Sequence, residues 1–492
     1  MSQTKLTPTD EQLVIINAAK DTKNNLLINA LAGAAKTTTL QMICEKVTEI
    51  PILSVCFNKK IADELSSKLP SHVECRTLNS LGHRVWGAAI GRRLTLSDKK
   101  MFELTKQYAE TLKGKDKEEF YEFFGDILRS LGWAKSSGYI PPGKFHHATH
   151  LVDRDDFRAI LEYNQWDSQV PDFVMSAIDS ILTDSIQMAY AGTIDFNDQI
   201  YMPTLFGGTF PSFPLVMVDE TQDLSPLNHI MLKKLARQRL IAVGDPWQSI
   251  YGFRGAKRGG MQAIKETFSM AEFTLSVSFR CPQEVVKLAH SRVPHMKWAP
   301  WAKEGSVEFL DHWSSADVPD HAAVICRNNA PLFKLALDLI KAGRGIKLVG
   351  ADIGPNLIKL LKKLGDERLS GDDLHNAIDR WKSATLQSAR NPGSVEDRAE
   401  CLHIFAEAGG DLKGAILYAE RLFATSGPIQ LMSGHKSKGL EFDTVFFLDP
   451  WRLPSKYATN ADQMDQELNL RYVIQTRAKN RLVHVELERF AG

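Results

Sequence analysis

The stretch LVMVDETQDLSP, residues 215–226, decides how the fold and the chemistry of this chain are interpreted. Its apolar run from Leu215 to Val218 is bounded by turn-forming residues, which is typical of a buried strand. The run ends in Asp219 and Glu220, although unpaired buried charge is costly. Ligands and metal ions bind at the carboxyl ends of parallel strands. The pattern therefore predicts the acidic half of a nucleotide-hydrolysing site, in which one carboxylate holds Mg²⁺ and the next orients a water.

Such a site needs a loop that holds phosphate, and LLINALAGAAKTTTL, residues 26–40, has the required layout. A short apolar run is followed by a small-residue loop and then by helix-favouring sequence. In a P-loop, backbone N–H groups surround phosphate at a helix N-terminus, a lysine reaches the outer phosphates and a hydroxyl binds Mg²⁺. Lys36 and Thr37 have the types for the last two roles. The predicted ATP-binding residues of the loop are Ala32, Gly33, Ala34, Ala35, Lys36, Thr37 and Thr38.

This loop departs from the GxxxxGK[ST] pattern, because Ala30 and Ala35 occupy the two glycine positions. Glycine is favoured where φ is positive or where the backbone approaches a ligand closely. A small-residue turn without a ligand is the alternative for the loop taken alone. The acidic strand end downstream favours the phosphate-binding interpretation.

Composition limits the function classes. The 492 residues predict roughly three or four domains at about 100–200 residues each. Lys and Arg number 60 against 59 Asp and Glu, so a nucleic-acid surface would be a local basic groove. The sequence shows neither a long apolar run nor a signal-peptide core, and its six cysteines form no CxxC pair. We therefore expect a cytoplasmic protein in a reducing compartment, without a zinc or iron–sulfur site.

Further motifs follow in a fixed order. They are LTPTDEQ (6–12), ILSVCFNKKIADEL (52–65), RTLNSLGHRV (76–85), VDETQD (218–223), IAVGDPWQSIYGFRGA (241–256), LSVSFRCPQEV (275–285), IQLMSGHKSKGLEFDTVFFL (429–448) and LNLRYVIQTRAKNRL (468–482). This series resembles the UvrD/Rep/PcrA-type superfamily 1 DNA helicases, and FNKKIADEL is also similar to the F-box DNA helicases of that group. The resemblance implies an α/β fold with two RecA-like P-loop motor domains, each with parallel sheets and a mainly helical insertion.

The resemblance also implies an activity: an ATP-dependent DNA helicase or single-stranded DNA translocase with 3′→5′ polarity, which uses ATP and Mg²⁺. Its partners would be single-stranded DNA and junctions between single and double strands. A DNA-binding protein with a slow or vestigial ATP switch is the alternative, because of the two loop alanines. An RNA-directed motor is a weaker one. Repair, replication, recombination and defence remain open as pathways.

The family's nucleotide contacts carry over residue by residue. Gln12 would read the adenine edge, Phe279 would stack on adenine and Glu441 would bind the ribose hydroxyl. Asp219 would hold Mg²⁺ with Thr37, and Glu220 would position the attacking water. The residues expected at the γ-phosphate are Lys36, Gln248, Arg280 and Arg477. The alternatives are a solvated helix residue for Gln12 and a helix-surface salt bridge for Arg477.

The same resemblance implies contacts to DNA. Aromatic faces stack on bases without regard to sequence, so Phe57, Tyr251 and Phe253 would meet bases, with core packing as their alternative. Polar and basic residues would contact the backbone, namely Asn58, Thr77, Asn79, His435 and Lys438. Gln222 and Asp223 would link hydrolysis to DNA. Arg327 would face either DNA or the domain core.

The motif positions predict the domain limits: a first motor domain at 1–85 and 186–275 with an insertion at 86–185, and a second at 276–362 and 428–492 with a small helical insertion at 363–427. In the first insertion, GWAKSSGYIPPGKFHHATH, residues 132–150, is predicted to be an aromatic, basic loop. Trp133, Tyr139 and Lys144 would meet nucleic acid there, or belong to an ordinary surface loop.

Overall fold

A computed structural model describes residues 7–56, 59–166, 169–250, 260–350, 353–388 and 392–491 of the chain. The chain divides into two compact units. The first comprises Met1–Leu31 and Ala35–Leu275, and the second comprises Ala32–Ala34 and Ser276–Gly492. Among the described residues, no helix has both the length and the apolar character needed to cross a membrane.

The first unit contains eight strands among its described residues: β1 (Leu26–Ala30), β2 (Ile52–Val55), β3 (Val73–Arg76), β4 (Thr95–Leu96), β5 (Thr193–Ile194), β6 (Phe213–Val218), β7 (Ala236–Gly244) and β8 (Ala271–Leu275). Six of them form a parallel sheet in the order β3-β2-β6-β7-β1-β8. Every residue of β6 is buried, as expected for an inner strand of a sheet covered on both faces. The short strands β4 and β5 pair separately.

The described helices of the first unit are α1 (Asp10–Asp21), α2 (Lys36–Cys44), α3 (Lys59–Lys68), α4 (Leu78–Ile90), α5 (Lys100–Thr111), α6 (Gly114–Glu122), α7 (Phe124–Ser137), α8 (Arg154–Asn164), α9 (Asp172–Tyr190), α10 (Asp198–Leu205), α11 (Pro226–Leu235) and α12 (Gly260–Phe268). Helices α5–α9 supply most of a hydrophobic core around Phe120, Phe157 and Ile178. Residues of α4, α10 and α11 also belong to this core. Helices α4 and α9 run across residues 85/86 and 185/186, the expected limits of the insertion, and the insertion itself stays a prediction.

The segment 132–150 differs from its prediction. Helix α7 continues to Ser137, so the irregular part of the segment starts only at Gly138. Trp133 and Tyr139 are buried in the helical core, where the Tyr139 hydroxyl donates to Asp179 Oδ1 at 2.5 Å. The prediction that these two aromatics meet nucleic acid is therefore wrong. Lys144 is exposed.

The second unit contains β9 (Val277–Ser278), β10 (Lys297–Trp298), β11 (Ser306–Leu310), β12 (Trp313–Ser314), β13 (Ala323–Cys326), β14 (Ile346–Leu348), β15 (Ile429–Ser433), β16 (Phe442–Leu448), β17 (Ala478–Val485) and β18 (Phe490–Ala491). Its main sheet is again parallel, in the order β11-β17-β16-β13-β15-β14. Both main sheets are of the parallel type that the resemblance implies, so the predicted α/β class is confirmed.

The described helices of the second unit are α13 (Gln283–Ala289), α14 (Ala330–Lys341), α15 (Ile353–Leu361), α16 (Gly371–Ser388), α17 (Pro392–Gly409), α18 (Leu412–Phe423), α19 (Gly434–Ser437) and α20 (Ala461–Gln475). Helices α16–α18 lie within 363–427, and their apolar residues join those of the sheet in a single core. The helical character expected for this interval agrees with these bounds, while its role as an inserted domain stays a prediction.

Candidate active site

Three strands of the first sheet end at one edge. Ile28 of β1 is level with Val243 of β7, and Val218 of β6 is level with Ala242. All three strands are parallel, so the segments that follow them leave the sheet on the same side. These segments are the loop to Lys36, the acidic turn from Asp219 and the turn that begins at Asp245.

The loop after β1 has the backbone geometry of a phosphate-binding turn. Gly33 has φ 75°, and Ala35 adopts a left-handed conformation with φ 54° and ψ 42° just before α2. A side chain in this region is strained by roughly 1–2 kcal/mol, which explains why the family's pattern has glycine at the position of Ala35. Lys36, Thr37 and Thr38 form the first turn of α2, where free backbone N–H groups favour anions.

Lys36 and Glu220 form an ion pair across this edge. Lys36 Nζ donates to Glu220 Oε1 at 2.8 Å. Burial lowers the pKa of Lys36, but the carboxylates of Glu220, Asp219 and Asp245 outweigh burial, so the net pKa lies above its ordinary value. Lys36 is therefore a fixed positive charge at physiological pH. The ion pair thus brings together two predicted site residues that are 184 positions apart in the sequence.

The acidic turn after β6 is bent sharply at Glu220. This residue is left-handed, with φ 53° and ψ 42°, and its N–H donates to Asp219 Oδ1 at 2.8 Å. Non-glycine residues in this region are concentrated at functional sites, where surrounding contacts hold the strain. The bend directs the Glu220 carboxylate to Lys36.

An amide links the acidic turn to the next strand. Gln222 Nε2 donates to Glu220 Oε2, and Gln222 Oε1 accepts from the Asp245 N–H at 3.0 Å. Gln248 Nε2 donates to Asp245 Oδ2 at 2.7 Å. A Cβ on Gly244 would lie 2.4 Å from Gln222 Oε1, so this link requires glycine there. Gln248 therefore reaches Glu220 through Asp245 and Gln222.

Asp245 was missed by the sequence reasoning. It is fully buried, and its pKa is raised to about 6, mainly by burial and also by Glu220, while Lys36 and the Gln248 amide lower it. The signal was present, because the apolar run of β7 ends in an acid as the run of β6 does. Asp245 is a positioning residue that holds Gln248 and, through its N–H, Gln222.

Gln12 is tied to the phosphate-binding helix. Its Nε2 donates to Thr39 Oγ1 at 2.9 Å, and its Oε1 accepts from the Thr9 N–H at 3.0 Å in a capping box of α1. Thr39 Oγ1 in turn donates to Ala35 O at 3.1 Å. Gln12 is buried, so the alternative of a solvated helix residue is wrong. Its contact with adenine stays a prediction.

In the second unit, Arg280 pairs with Glu441. Arg280 Nε donates to Glu441 Oε2 at 2.7 Å, and both side chains are partly exposed. The neighbouring Phe279 exposes 38% of its surface. The structure thus brings together two residues that the resemblance assigns to different parts of the nucleotide, the γ-phosphate for Arg280 and the ribose for Glu441. These roles stay predictions.

Arg477 has a different environment. It follows α20 and is buried, where Nε donates to Val473 O at 2.9 Å and Nη1 donates to Leu440 O at 3.0 Å. The alternative of a helix-surface salt bridge is wrong, because the residue lies neither on the surface nor within the helix. The guanidinium stabilises the approach of the strand segment at Leu440 to the end of α20.

The DNA-binding predictions have several outcomes. Phe57, Asn58, Tyr251 and Phe253 lie outside the described residues. In the segment that is described, Thr77 Oγ1 accepts from the Ser80 N–H at 3.1 Å as the N-cap of α4, and Asn79 Nδ2 donates to Phe196 O at 2.9 Å. The contact of either residue with DNA stays a prediction.

Phe196 is a further candidate that sequence reasoning missed. Its side chain is 62% exposed beside Asn79. The signal was its place between the two aspartates of IDFND, which are buried. An exposed aromatic next to a predicted phosphate contact is suited to stacking on a base.

Two of the predicted DNA contacts, His435 and Lys438, follow β15. The pKa of His435 is lowered to about 3 by burial and by the charges of Arg327 and Lys438, so His435 is neutral at physiological pH. The contacts of His435 and Lys438 with DNA stay predictions, in which only Lys438 supplies a charge. Arg327 is partly exposed and binds Glu467 through Nε and Nη2 at 2.8–3.1 Å, and both of its alternatives, DNA and the domain core, stay predictions.

Comparisons with known proteins identify the family. The UvrD/REP helicase N-terminal domain matches residues 9–269, and the UvrD-like helicase C-terminal domain matches residues 412–488. F-box DNA helicase protein 1 of Schizosaccharomyces pombe is 24% identical, over 96% of this chain and 57% of its own length. F-box DNA helicase 1 of Gallus gallus is 25% identical, over 98% and 49%. A probable DNA helicase II homolog of Mycoplasma genitalium is 23% identical, over 53% and 39%.

The chain spans about half the length of the curated relatives it matches. The N-terminal family match alone covers more than half of the chain, and it includes the loop at Lys36, the acidic turn at Glu220 and the turn at Asp245. The resemblance inferred from the motifs is therefore confirmed, and the chain belongs to the UvrD/REP helicase family.

Proposed function

We propose that this chain is an ATP-dependent DNA helicase that moves along single-stranded DNA and couples ATP hydrolysis to strand separation. The observation that carries the proposal is the Lys36–Glu220 ion pair at the carboxyl edge of a parallel sheet. A lysine at a helix N-terminus and a carboxylate opposite it are the two halves of a phosphate-hydrolysing centre. Membership of a helicase family supports DNA as the polymer on which the chain acts.

In the proposed reaction, the phosphates of ATP compete with Glu220 for Lys36. Once Lys36 is bound to phosphate, the Glu220 carboxylate is available to accept a proton from the attacking water. Gln222 holds the second carboxylate oxygen, so Glu220 keeps its orientation during this exchange. Gln248, held by Asp245, is assigned to the γ-phosphate.

Mg²⁺ fits the donor set of this site, because the Thr37 hydroxyl and the Asp219 carboxylate are hard oxygen ligands. When bound, Mg²⁺ would neutralise charge on the phosphates. Asp219 is partly committed already, since one of its oxygens accepts from the Glu220 N–H.

Following the family resemblance, we assign Arg280 and Arg477 to the γ-phosphate, Phe279 to the adenine and Glu441 to the ribose. In this assignment Arg280 exchanges the Glu441 carboxylate for phosphate when ATP binds. Fixed planar guanidinium groups are suited to the charge that develops on the transferred phosphoryl group.

The polar residues proposed for DNA are Asn58, Thr77, Asn79, His435 and Lys438. The aromatic residues proposed for DNA are Phe196 and, from the family motifs, Phe57, Tyr251 and Phe253. We propose 3′→5′ movement, which rests on the family resemblance. Alternate binding and release of bases during the ATP cycle would then produce steps along one strand.

A strand-displacement assay tests the proposal. Duplexes with a 3′ tail, a 5′ tail or no tail are incubated with the purified chain, with and without ATP and Mg²⁺. We expect ATP-dependent displacement of the 3′-tailed duplex alone. Displacement from a 5′ tail alone would refute the polarity, and no ATP-dependent displacement from any substrate would refute the helicase activity.

The left-handed Ala35 favours a second candidate, a DNA-binding protein with a slow ATP switch. The methyl group lies next to the predicted phosphate site. ATP turnover with and without single-stranded DNA separates the two functions. Stimulation to several turnovers per second supports a motor, whereas DNA binding with turnover slower than about one per minute supports the switch.

A further inference from the structure

Trp301 is the most exposed large aromatic side chain among the described residues, with 72% of its surface accessible. Its ring centroid lies 5.8 Å from that of Phe279, with 35° between the two ring planes. The two rings are tilted rather than stacked, and this exposed Phe279–Trp301 pair forms an aromatic corner. The apolar surface of Trp301 is accessible to a ligand, and a base that covered it would bury a large π face.

The segment that carries Trp301 is firmly held. The Ala299 N–H donates to Ser278 O at 3.1 Å, which continues the β9–β10 pairing, and the Ala302 N–H donates to Ala299 O at 2.8 Å. Gln283 Nε2, at the start of α13, donates to Ala302 O at 2.9 Å. Hydrogen bonds to the backbone on both sides of Trp301 therefore fix the turn that carries it.

The far end of the turn is just as restricted. The Gln283 N–H donates to Lys303 O, and the Glu284 N–H donates to Glu304 O, each at 3.0 Å. Gly305 has φ 68°, and a Cβ there would lie 2.4 Å from Pro282 Cβ. A ring that is presented on a rigid backbone loses little conformational freedom when it binds a ligand, which favours recognition.

Polar groups are adjacent to this corner. Phe279 is followed directly by Arg280, which is bonded to Glu441. The same small region of the second unit thus offers two aromatic faces, a cation and a carboxylate. Aromatic faces suit a nucleobase, a carboxylate suits ribose hydroxyls and a guanidinium suits phosphate.

We propose that Trp301 is a specificity-determining residue that selects purine over pyrimidine nucleotides. This inference rests on the proposed assignment of Phe279 to the nucleobase. A base that stacks on Phe279 extends towards the corner. The second ring of a purine also covers Trp301, whereas a pyrimidine covers Phe279 alone.

The test is equilibrium binding of Mg·ADP and Mg·CDP by titration calorimetry, without DNA, to wild type, Trp301→Ala and Trp301→Phe. We expect Trp301→Ala to weaken ADP binding about tenfold, since stacking on an aromatic is worth ~1–3 kcal/mol. CDP binding should change less than about twofold, and Trp301→Phe should fall between wild type and Trp301→Ala for ADP.

Trp451→Ala is the matched control, because Trp451 belongs to the same unit, is 62% exposed and lies outside the proposed nucleotide and DNA sites. It should leave both affinities unchanged. Equal weakening of ADP and CDP in Trp301→Ala would overturn the inference, as would no change in either.

A second arm separates this inference from the function proposed above. Binding of a labelled single-stranded oligonucleotide is measured by anisotropy for the same variants. Loss of oligonucleotide binding with unchanged ADP affinity would assign Trp301 to DNA and overturn the inference. Wild type that binds ADP but neither hydrolyses ATP nor displaces a strand would refute the helicase, while the ADP and CDP affinities would still decide the role of Trp301.

Discussion

The charged residues expected at the nucleotide are held in opposite ways in the two units. In the first, Lys36 is bonded to Glu220, and Glu220 is linked through Gln222 to Asp245, so the proposed hydrolytic groups hold each other. In the second, Arg280 is bonded to an exposed carboxylate. The Arg477 guanidinium donates to backbone carbonyls. In the proposed reaction Lys36 exchanges Glu220 for phosphate as Arg280 exchanges Glu441, so the difference is that the first set is already assembled into one hydrogen-bonded network through Gln222 and Asp245.

The largest effect is expected at Glu220. Glu220→Gln should reduce DNA-stimulated ATP turnover roughly 10³-fold, because a general base contributes typically 10²–10⁴-fold and an amide cannot accept the proton. ATP binding should be retained or tightened, because Lys36 loses its competing carboxylate. Steady-state phosphate release and equilibrium ATP binding measure the two effects.

Glu272→Gln is the matched control, since Glu272 is an exposed carboxylate of the same unit that pairs with Lys265. Its turnover should equal that of wild type. Equal turnover of Glu220→Gln and wild type would contradict the assignment of the acidic turn and, with it, the assembled character of the first set.

The next effect contrasts the two arginines. Arg280→Ala should reduce turnover roughly 10²-fold, as loss of one charge-stabilising donor does, while the free energy of unfolding stays within about 0.5 kcal/mol. Arg477→Ala should reduce turnover and also lower the free energy of unfolding by about 2 kcal/mol, because buried carbonyls lose their donor.

Urea denaturation followed by circular dichroism measures this difference in stability. Arg481→Ala is the control, because Arg481 forms a partly exposed ion pair with Glu308 in the same unit. It should leave turnover unchanged. Equal stability of Arg280→Ala and Arg477→Ala would contradict the claim that the two guanidinium groups are held differently.

The pattern of the sequence anticipated the edge of the first sheet because local signals agree there. An apolar run that ends in acid predicts a strand end, and a small-residue loop before Lys36 predicts a phosphate-binding turn. Each of these two signals lies within a few neighbouring residues. The mutual bonding of Lys36 and Glu220 depends on strand order, which no local pattern contains.

The wrong prediction for Trp133 and Tyr139 and the wrong alternatives for Gln12 and Arg477 have the same origin. Trp133 and Tyr139 were expected at a surface because Gly and Pro residues follow them, but the helical core of the first unit buries both. Gln12 and Arg477 have polar side chains, and residue type taken alone favours exposure to solvent. In the structure, specific hydrogen bonds hold both side chains in buried positions. Burial of a polar residue depends on partners that are distant in sequence.

A smaller effect is expected at Asp245. Asp245→Asn should lower turnover about tenfold, because Gln248 loses part of its support. It should also change the pH dependence of stability. The folded pKa of about 6 lies above the unaltered value of 3.8, so the stability from protonated Asp245 is full below about pH 4 and is lost as pH rises through 6.

Asparagine cannot ionise, so the free energy of unfolding of Asp245→Asn should exceed that of wild type by up to about 3 kcal/mol at pH 7.5 and approach it near pH 4. Urea denaturation at both pH values measures this. A difference that is constant with pH would contradict the buried, ionised state of Asp245.

The smallest effect concerns the strain that both turns of the first unit share, at Ala35 and at Glu220. Ala35→Gly should raise the free energy of unfolding by up to about 1 kcal/mol, because relief of the left-handed conformation outweighs the extra freedom that glycine gives the unfolded chain. Ala34→Gly is the control: Ala34 is buried without positive φ, so its replacement should destabilise the fold by about 1 kcal/mol.

Turnover is the decisive measurement for Ala35. The backbone at Ala35 already adopts the conformation that glycine would take, so the methyl group does not displace the loop, and Ala35→Gly should change turnover less than about threefold. A gain of tenfold or more would instead mean that the methyl group obstructs the phosphate. The first set of residues would then be assembled but obstructed, and the slow ATP switch would become the better account of the chain.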